Sequence, residues 1–208
     1  MIVKPADNGG DFDAVFLLQL GYLSLRPSPE QGSFLLDYPN TEVRNSMALH
    51  LLRSYFKRPE TADNACMDLK KALMNRDADA FTEQINKVLS EYPYDYYQSN
   101  KRDGYFYCLG LFTFFYASGL MFQAEKHANF GRADFVLKFD DFTWVVEIKV
   151  SHGDADDAKL AAAALEQIKA KNYAGASRNR VLLGAVINDD RRMITAWECR
   201  GGIKEKPE

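Results

Sequence analysis

The spacing of hydrophobic positions changes along the chain, and each change marks a different kind of element. Before about Pro39 an apolar run, Ala14 to Leu25, is followed by a turn-rich stretch from Arg26 to Gly32 and a short strand candidate, Ser33 to Leu36. This reads as a helix end, a strand, a turn and a second strand, too small to hold a core of its own. Helical spacing then takes over. Asn40-Thr41-Glu42 supplies a capping side chain and an early carboxylate for a helix running to about Phe56. Thr61 to Asn75 and Asp77 to Glu91 predict two more, the second with Phe81, Ile85, Val88 and Leu89 on one stripe, and Tyr92-Pro93-Tyr94 ends it. A long aromatic helix is expected from Arg102 to Gly119.

After Gly119 the period shortens. Met121–Glu125, Ala133–Phe139, Phe142–Val150, Val181–Asn188 and Met193–Glu198 read as strands. Between the third and fourth lies an alanine-rich helix from Asp154 to about Tyr173, with Ser151 or Asp154 as its cap and Gly175 as its stop. The small alanines at 161–164 would let that helix lie close on a sheet. The order of elements is that of an α/β fold with a mixed sheet, preceded by a helical subdomain.

Composition narrows this picture. A chain of 208 residues, 47% hydrophobic, can bury one good core or one core plus an attached helical piece. Fourteen Phe and 11 Tyr argue against disorder. The net charge of −3 excludes holding nucleic acid by bulk positive charge, so any such contact needs a local basic patch. Cys66, Cys108 and Cys199 are far apart and form no C-x-x-C pair, which reads as free thiols of a reducing cytoplasm. The N-terminus has no apolar signal core. Tyr105 to Phe122 is about long enough to span a bilayer, but its glycines and the strand-like sequence after it read as a core helix, with no membrane partner.

The candidate chemistry lies in Gly131–Lys149, GRADFVLKFDDFTWVVEIK. A hairpin turning at Asp140-Asp141 pairs Phe139 with Phe142, Leu137 with Trp144 and Val136 with Val145, which sets Asp134 opposite Glu147. Directly opposed residues have Cβ atoms about 4.5–5.5 Å apart, so two carboxylates there repel unless a cation lies between them. Mg²⁺, with Mn²⁺ as a substitute, suits two carboxylates and water. Glu147 and Lys149 share the Asp134 face, while Val146, Ile148 and Val150 point toward a buried layer. Arg132 falls opposite Lys149, a cation suited to a substrate phosphate. A divalent ion there would polarise a phosphodiester, and Lys149 would orient or deprotonate the attacking water. The alternative is an ordinary exposed strand face on which Glu147 pairs with Lys149 or Arg132.

Asp134 and Glu147-Ile148-Lys149 resemble the metal Asp and the E-x-K of the PD-(D/E)XK nuclease superfamily. The helix Ala164-Leu165-Glu166-Gln167-Ile168-Lys169-Ala170-Lys171-Asn172-Tyr173 is similar to that of a branch usually fused behind an AAA-ATPase-like domain. Leu20–Ser24, Asp37–Val43, Tyr92–Tyr94 and Phe106-Tyr107 also resemble that branch, so the likeness covers nearly the whole chain. The resemblance implies a restriction-endonuclease-like core at 101–208, a helical subdomain at 40–100, and a tail at 1–39 like the end of the ATPase-like domain. It implies a Mg²⁺-dependent phosphodiesterase acting on DNA or RNA. Asp134 and Glu147 would be metal ligands and Lys149 the base, with Gln167 and Tyr173 as auxiliary residues. An ATPase-like domain or a second copy of the chain would be partners. Two departures stand against it. The first core helix starts Lys101-Arg102-Asp103-Gly104 without the further Glu often found there, leaving Asp103 or another carboxylate as substitute. No G-x-x-x-x-G-K-[ST] is present. A catalytically inactive nuclease-fold module for protein or nucleic-acid binding therefore stays open.

Other residues carry weaker signals. His50, His127 and His152 share no metal spacing, although His127 and His152 flank the hairpin. Lys169, Lys171, Arg178, Arg180, Arg191 and Arg192 could line a phosphate-tracking rim or simply solubilise a surface. Tyr94, Tyr96 and Tyr97 could stack on bases but fit packing roles better.

Overall fold

A computed structural model of the protein describes residues 10–30, 32–56, 58–92, 104–124, 134–171 and 179–201. The chain forms two compact units, Met1–Ala48 and Leu49–Glu208. The first holds helix α1 (Gly10–Gln19) and an antiparallel ribbon of β1 (Ser24–Pro27) and β2 (Phe34–Asp37), with Leu25 opposite Leu36. Helix, strand, turn and strand follow in the expected order.

Helix α2 (Thr41–Tyr55) starts where its cap predicts, Asn40 Oδ1 accepting the Val43 amide at 2.8 Å. Helix α3 (Pro59–Met74) begins two residues earlier than Thr61 because Pro59 suits a first turn, where its missing N–H costs nothing. Ala62, Ala65, Cys66, Leu69 and Leu73 form its buried stripe. Helix α4 (Ala78–Glu91) is capped by Asp77, which accepts from the Ala80 amide at 2.9 Å, and buries the expected Phe81, Ile85, Val88 and Leu89. Helix α5 (Gly104–Ala117) buries Phe106, Tyr107, Cys108, Leu111, Phe114 and Phe115. At about 1.5 Å per residue its 14 residues fall short of a bilayer's hydrocarbon thickness. Among the described residues no helix is long and apolar enough to cross a membrane.

Five strands form the central sheet in chain order: β3 (Phe122–Ala124), β4 (Phe135–Lys138), β5 (Thr143–Ser151), β6 (Arg180–Asn188) and β7 (Met193–Arg200). Only β5 and β6 are parallel; the other three pairings are antiparallel, which makes the sheet mixed as expected. Helix α6 (Asp157–Lys171) joins the parallel pair. Its cap is Asp156, accepting from the Lys159 amide at 3.0 Å, instead of Ser151 or Asp154. The reason is that β5 continues through Ser151 and a turn at Gly153 (φ +58°) intervenes before the helix.

One face of the sheet, including Leu137, Trp144, Val146, Ile148, Val181, Leu183 and Ile187, joins residues of α3, α4 and α5 in the main core. Trp144 is fully buried, stacks on Phe81 at 5.5 Å between ring centres, and donates its indole N–H to Leu73 O at 3.1 Å. On the opposite face Val145 packs with Ile168 of α6, flanked by Val136 and Leu182. At the outer strand β7, Asn86 of α4 answers both backbone groups of Ile194: Oδ1 accepts the Ile194 amide at 2.6 Å and Nδ2 donates to its carbonyl at 3.1 Å. An edge strand would otherwise leave those groups unpaired.

Candidate active site

The β4–β5 hairpin has the register derived from its turn. Phe139 N donates to Phe142 O at 2.9 Å, and the ladder pairs Lys138 with Thr143, Leu137 with Trp144, Val136 with Val145 and Phe135 with Val146. One step further along, Asp134 stands just before β4, where the ladder ends. Its Oδ2 accepts the backbone N–H of Ile148 at 2.7 Å, which anchors this carboxylate against β5 beside Glu147.

Glu147 is only 4% exposed, so the reading of an ordinary exposed strand face does not hold. It lies under α6. The register sets Gly184 of β6 beside Glu147. A Cβ at Gly184 would stand 2.6 Å from both Ala161 O and Leu165 N, and 2.9 Å from Ala164 Cβ. The absent side chain thus lets the helix backbone settle directly on the sheet, with Ala161 and Ala164 buried against it. That approach brings Gln167 into the site. Gln167 Nε2 donates to Glu147 Oε1 at 2.6 Å, and Gln167 Oε1 accepts from Lys149 Nζ at 2.7 Å. Lys149 Nζ also lies 2.7 Å from Glu147 Oε1, closing a triangle. The Lys149 side chain is one-third exposed, so its ammonium sits at the rim while Glu147 forms the floor.

The other carboxylate oxygen of Glu147, Oε2, is buried and without a hydrogen-bond partner among the described residues. Leaving a buried charged oxygen unsatisfied costs more than most folds tolerate, and sites of this kind hold a water or an ion. Among the described residues Asp134 and Glu147 bring two carboxylates to this face of β5, with the Lys149 ammonium hydrogen-bonded to Glu147. Oxygen donors of this type fit a hard divalent cation that keeps several waters. Among the described residues there is no group of three His, Cys, Asp or Glu residues placed to share a metal. The pair of carboxylates is therefore what the described part of the chain offers such an ion.

Of the remaining expected residues, Arg132, Tyr173, Asp103, His127, Arg178 and Tyr94, Tyr96 and Tyr97 lie outside the described residues. His50 is exposed on α2. His152 is exposed beyond β5, its Nδ1 3.6 Å from Asp189 Oδ2. Lys169 pairs with Glu166 on α6, and Arg191 and Arg192 stand in the turn between β6 and β7. Cys66 and Cys108 are buried and Cys199 partly buried, none of them in a disulfide; burial raises the Cys66 thiol above its ordinary pKa.

Three features had not been anticipated. Gly184 was readable only as a glycine inside an apolar run. Asp189, 2% exposed, accepts the Tyr107 hydroxyl at 2.7 Å. Asp157, in the first turn of α6, reaches Thr195 of β7 at 2.5 Å and Asn188 of β6 at 3.5 Å. Burial pushes the Asp157 carboxyl upward, but the Ser151 and Thr195 hydroxyls, the Asn188 amide and the Arg191 charge outweigh it and hold its pKa below the ordinary value.

The mixed sheet flanked by helices is the architecture of a restriction-endonuclease-like core. Residues 101–197 match a family model of the PD-(D/E)XK nuclease superfamily, a stretch containing every described member of the site. The chain is also 28% identical over 199 residues to an "Uncharacterized protein in vnfD 5'region" of Azotobacter chroococcum mcd 1. That similarity covers 90% of this chain and 37% of the relative, so the chain spans little more than a third of the length of the curated relative it matches. No solved structure gives a significant match.

Proposed function

We propose that the protein is a Mg²⁺-dependent nuclease that hydrolyses phosphodiester bonds of DNA, with RNA as the second substrate class. The observation that carries this reading is the buried Oε2 of Glu147, without a hydrogen-bond partner among the described residues, beside Asp134. Asp134 and Glu147 are the residues that would hold the ion. When bound, a divalent ion in such a site supplies Lewis acidity toward a phosphate oxygen.

The protein residues divide the rest of the work. Asp134 is fixed by the Ile148 amide and Glu147 by Lys149 and Gln167, so both carboxylates are oriented before a ligand arrives. Lys149 acts at the rim as water positioner or base and offsets charge growing on phosphorus. Gln167 holds the Lys149 ammonium and the Glu147 carboxylate in a single arrangement, a positioning role. Arg132 would contact substrate phosphate, and Tyr173 would support the site. Docking to an ATPase-like domain, or to a second copy, and a cytoplasmic setting complete the proposal.

A nuclease-fold module without catalysis is the second reading, favoured by the net charge of −3. A nicking and cleavage assay with Mn²⁺ separates them. Wild type is expected to cut and Lys149→Ala to lose at least about a hundredfold in rate, in line with removal of a general base or charge-stabilising donor. Equal cutting by both would assign the activity to a contaminant; none by wild type would leave the binding module.

A further inference from the structure

The turn between β6 and β7 reads Asn188-Asp189-Asp190-Arg191-Arg192 and sends its two signs of charge different ways. Asp189 accepts the Tyr107 hydroxyl at 2.7 Å, and Asp190 accepts the Gly153 amide at 2.7 Å. Arg191 and Arg192 instead line a cavity of about 250 Å³, whose other wall is the last part of α4. The lining described holds these two guanidiniums and no carboxylate. Both walls are fixed. Asn188 Oδ1 accepts the Arg191 amide at 3.1 Å, and Asn188 O accepts the Arg192 amide at 2.7 Å. Asn86, also in the lining, fastens α4 to β7 through both backbone groups of Ile194. Tyr92 ties its hydroxyl to Gly110 O at 2.9 Å.

Arg192 has φ +55°, a left-handed backbone that glycine or asparagine adopts at lower steric cost. Arg76 shares that φ, but its guanidinium lies over the Phe142 ring and donates to Asn179. Strain kept at the wall of a cavity is accounted for when the side chain has work there. Complementing the carboxyl end of α4, which has no basic residue in its last turn, is not work enough for two cations. That end amounts to about half a charge.

We propose that this cavity binds a small phosphomonoester, with its phosphate on Arg191 and Arg192 and its organic part against Leu89, Tyr92 and Met193. Guanidinium forks match phosphate oxygens in pairs, which suits them to the end of such a ligand. Ser90 Oγ already donates to Lys87 O at 2.7 Å, so the arginines supply the donors. The volume falls below the roughly 300–1,000 Å³ usual for drug-sized ligands, which keeps the ligand small. A free nucleotide and the phosphorylated end of a nucleic-acid strand present the same group. The cavity is walled by α4 and the β6–β7 turn, whereas Glu147, Lys149 and Gln167 meet under α6. The inference is therefore independent of the nuclease reading.

Calorimetry on the full chain, in EDTA to keep divalent ions out, tests it with two phosphate-bearing probes. These are thymidine monophosphate and a short single strand with a terminal phosphate. Binding is expected, weakened about tenfold or more by Arg191→Ala or Arg192→Gly, the scale of one lost charge-assisted hydrogen bond. Arg192→Gly should nonetheless melt no lower than wild type, because it relieves the left-handed backbone; an arginine with only a structural role would not give that split. Lys149→Ala should bind the probes as wild type does. Binding of the phosphorylated strand supports the proposal with a strand end as source, and binding of thymidine monophosphate alone supports it with a free nucleotide. No binding of either probe at millimolar concentration, or arginine variants that bind like wild type, would overturn it. So would an equal loss in Lys149→Ala, which would put the probe under α6. Equal, arginine-dependent binding of the strand without its terminal phosphate would also overturn it, since backbone diesters would then be the ligand.

Discussion

Strand β5 is buried on both sides, and its two faces are buried to different ends. Trp144, Val146 and Ile148 enter the main core with the apolar side chains of α3, α4 and α5, and the Trp144 indole N–H is satisfied by Leu73 O. Val145, Glu147 and Lys149 face α6, where a small apolar patch is followed at once by a charged triangle with one carboxylate oxygen left over among the described residues. The first face stabilises the fold. The second spends part of that stability on holding charge away from water, an arrangement typical of sites that bind ions or do chemistry.

Substitutions on the two faces should therefore differ in kind. The largest effect is expected from Trp144→Ala, which empties a fully buried site and removes the indole donor to Leu73 O; about 3–5 kcal/mol should be lost in chemical denaturation. Gly184→Ala comes next. Its new Cβ would press on the α6 backbone, so about 1–3 kcal/mol should be lost, together with cleavage, because Gln167 moves with the helix. A Gly184→Ala protein of wild-type stability would refute the close seating of α6. Gln167→Ala should reverse the balance between faces: about 10–100-fold in cleavage rate, as for other residues that orient a ligand, with a stability change of about 1 kcal/mol or less.

The smallest effect is confined to acid. The Asp157 carboxyl has a folded pKa below its unfolded one, so its contribution is present above the unfolded value, near 3.9, and is lost as pH falls through the lowered folded value. Asp157→Asn should flatten the acid limb of a stability-versus-pH curve below about pH 4, where wild type falls. A wild-type acid limb in the variant would assign that loss to other carboxylates.

Much of this contrast can be read in the sequence, because a hairpin with a two-residue turn fixes its register arithmetically. Placing Asp140-Asp141 at the turn is enough to bring Asp134 to Glu147 and to separate Ile148 from Lys149 by face. Burial of Glu147 cannot be read that way. It depends on how near α6 comes, which is set by Gly184 on a strand that lies 37 residues further along the chain. The alanines of α6 predict close packing, but only the parallel register shows that the closest approach occurs beside the carboxylate. Helix starts were legible where a cap and a preceding break coincided, as at Asn40 and Asp77. They slipped at α6, where several candidate caps follow one another and the length of β5 decides among them. The ribbon of β1 and β2 was legible as strands, whereas the partners across it, such as Leu25 and Leu36, emerged only from the ladder.

The central claim is that the leftover oxygen of Glu147 and the Asp134 carboxylate form a divalent-cation site. Thermal melting under Mn²⁺ or Mg²⁺ titration tests it most directly, since an ion that binds only the folded state adds about 2.7 kcal/mol at a hundred times its dissociation constant. Wild type is predicted to melt progressively higher as the ion is added, and Asp134→Ala and Glu147→Gln to lose that rise. No shift at millimolar ion, or an equal shift in wild type and both variants, would contradict the account.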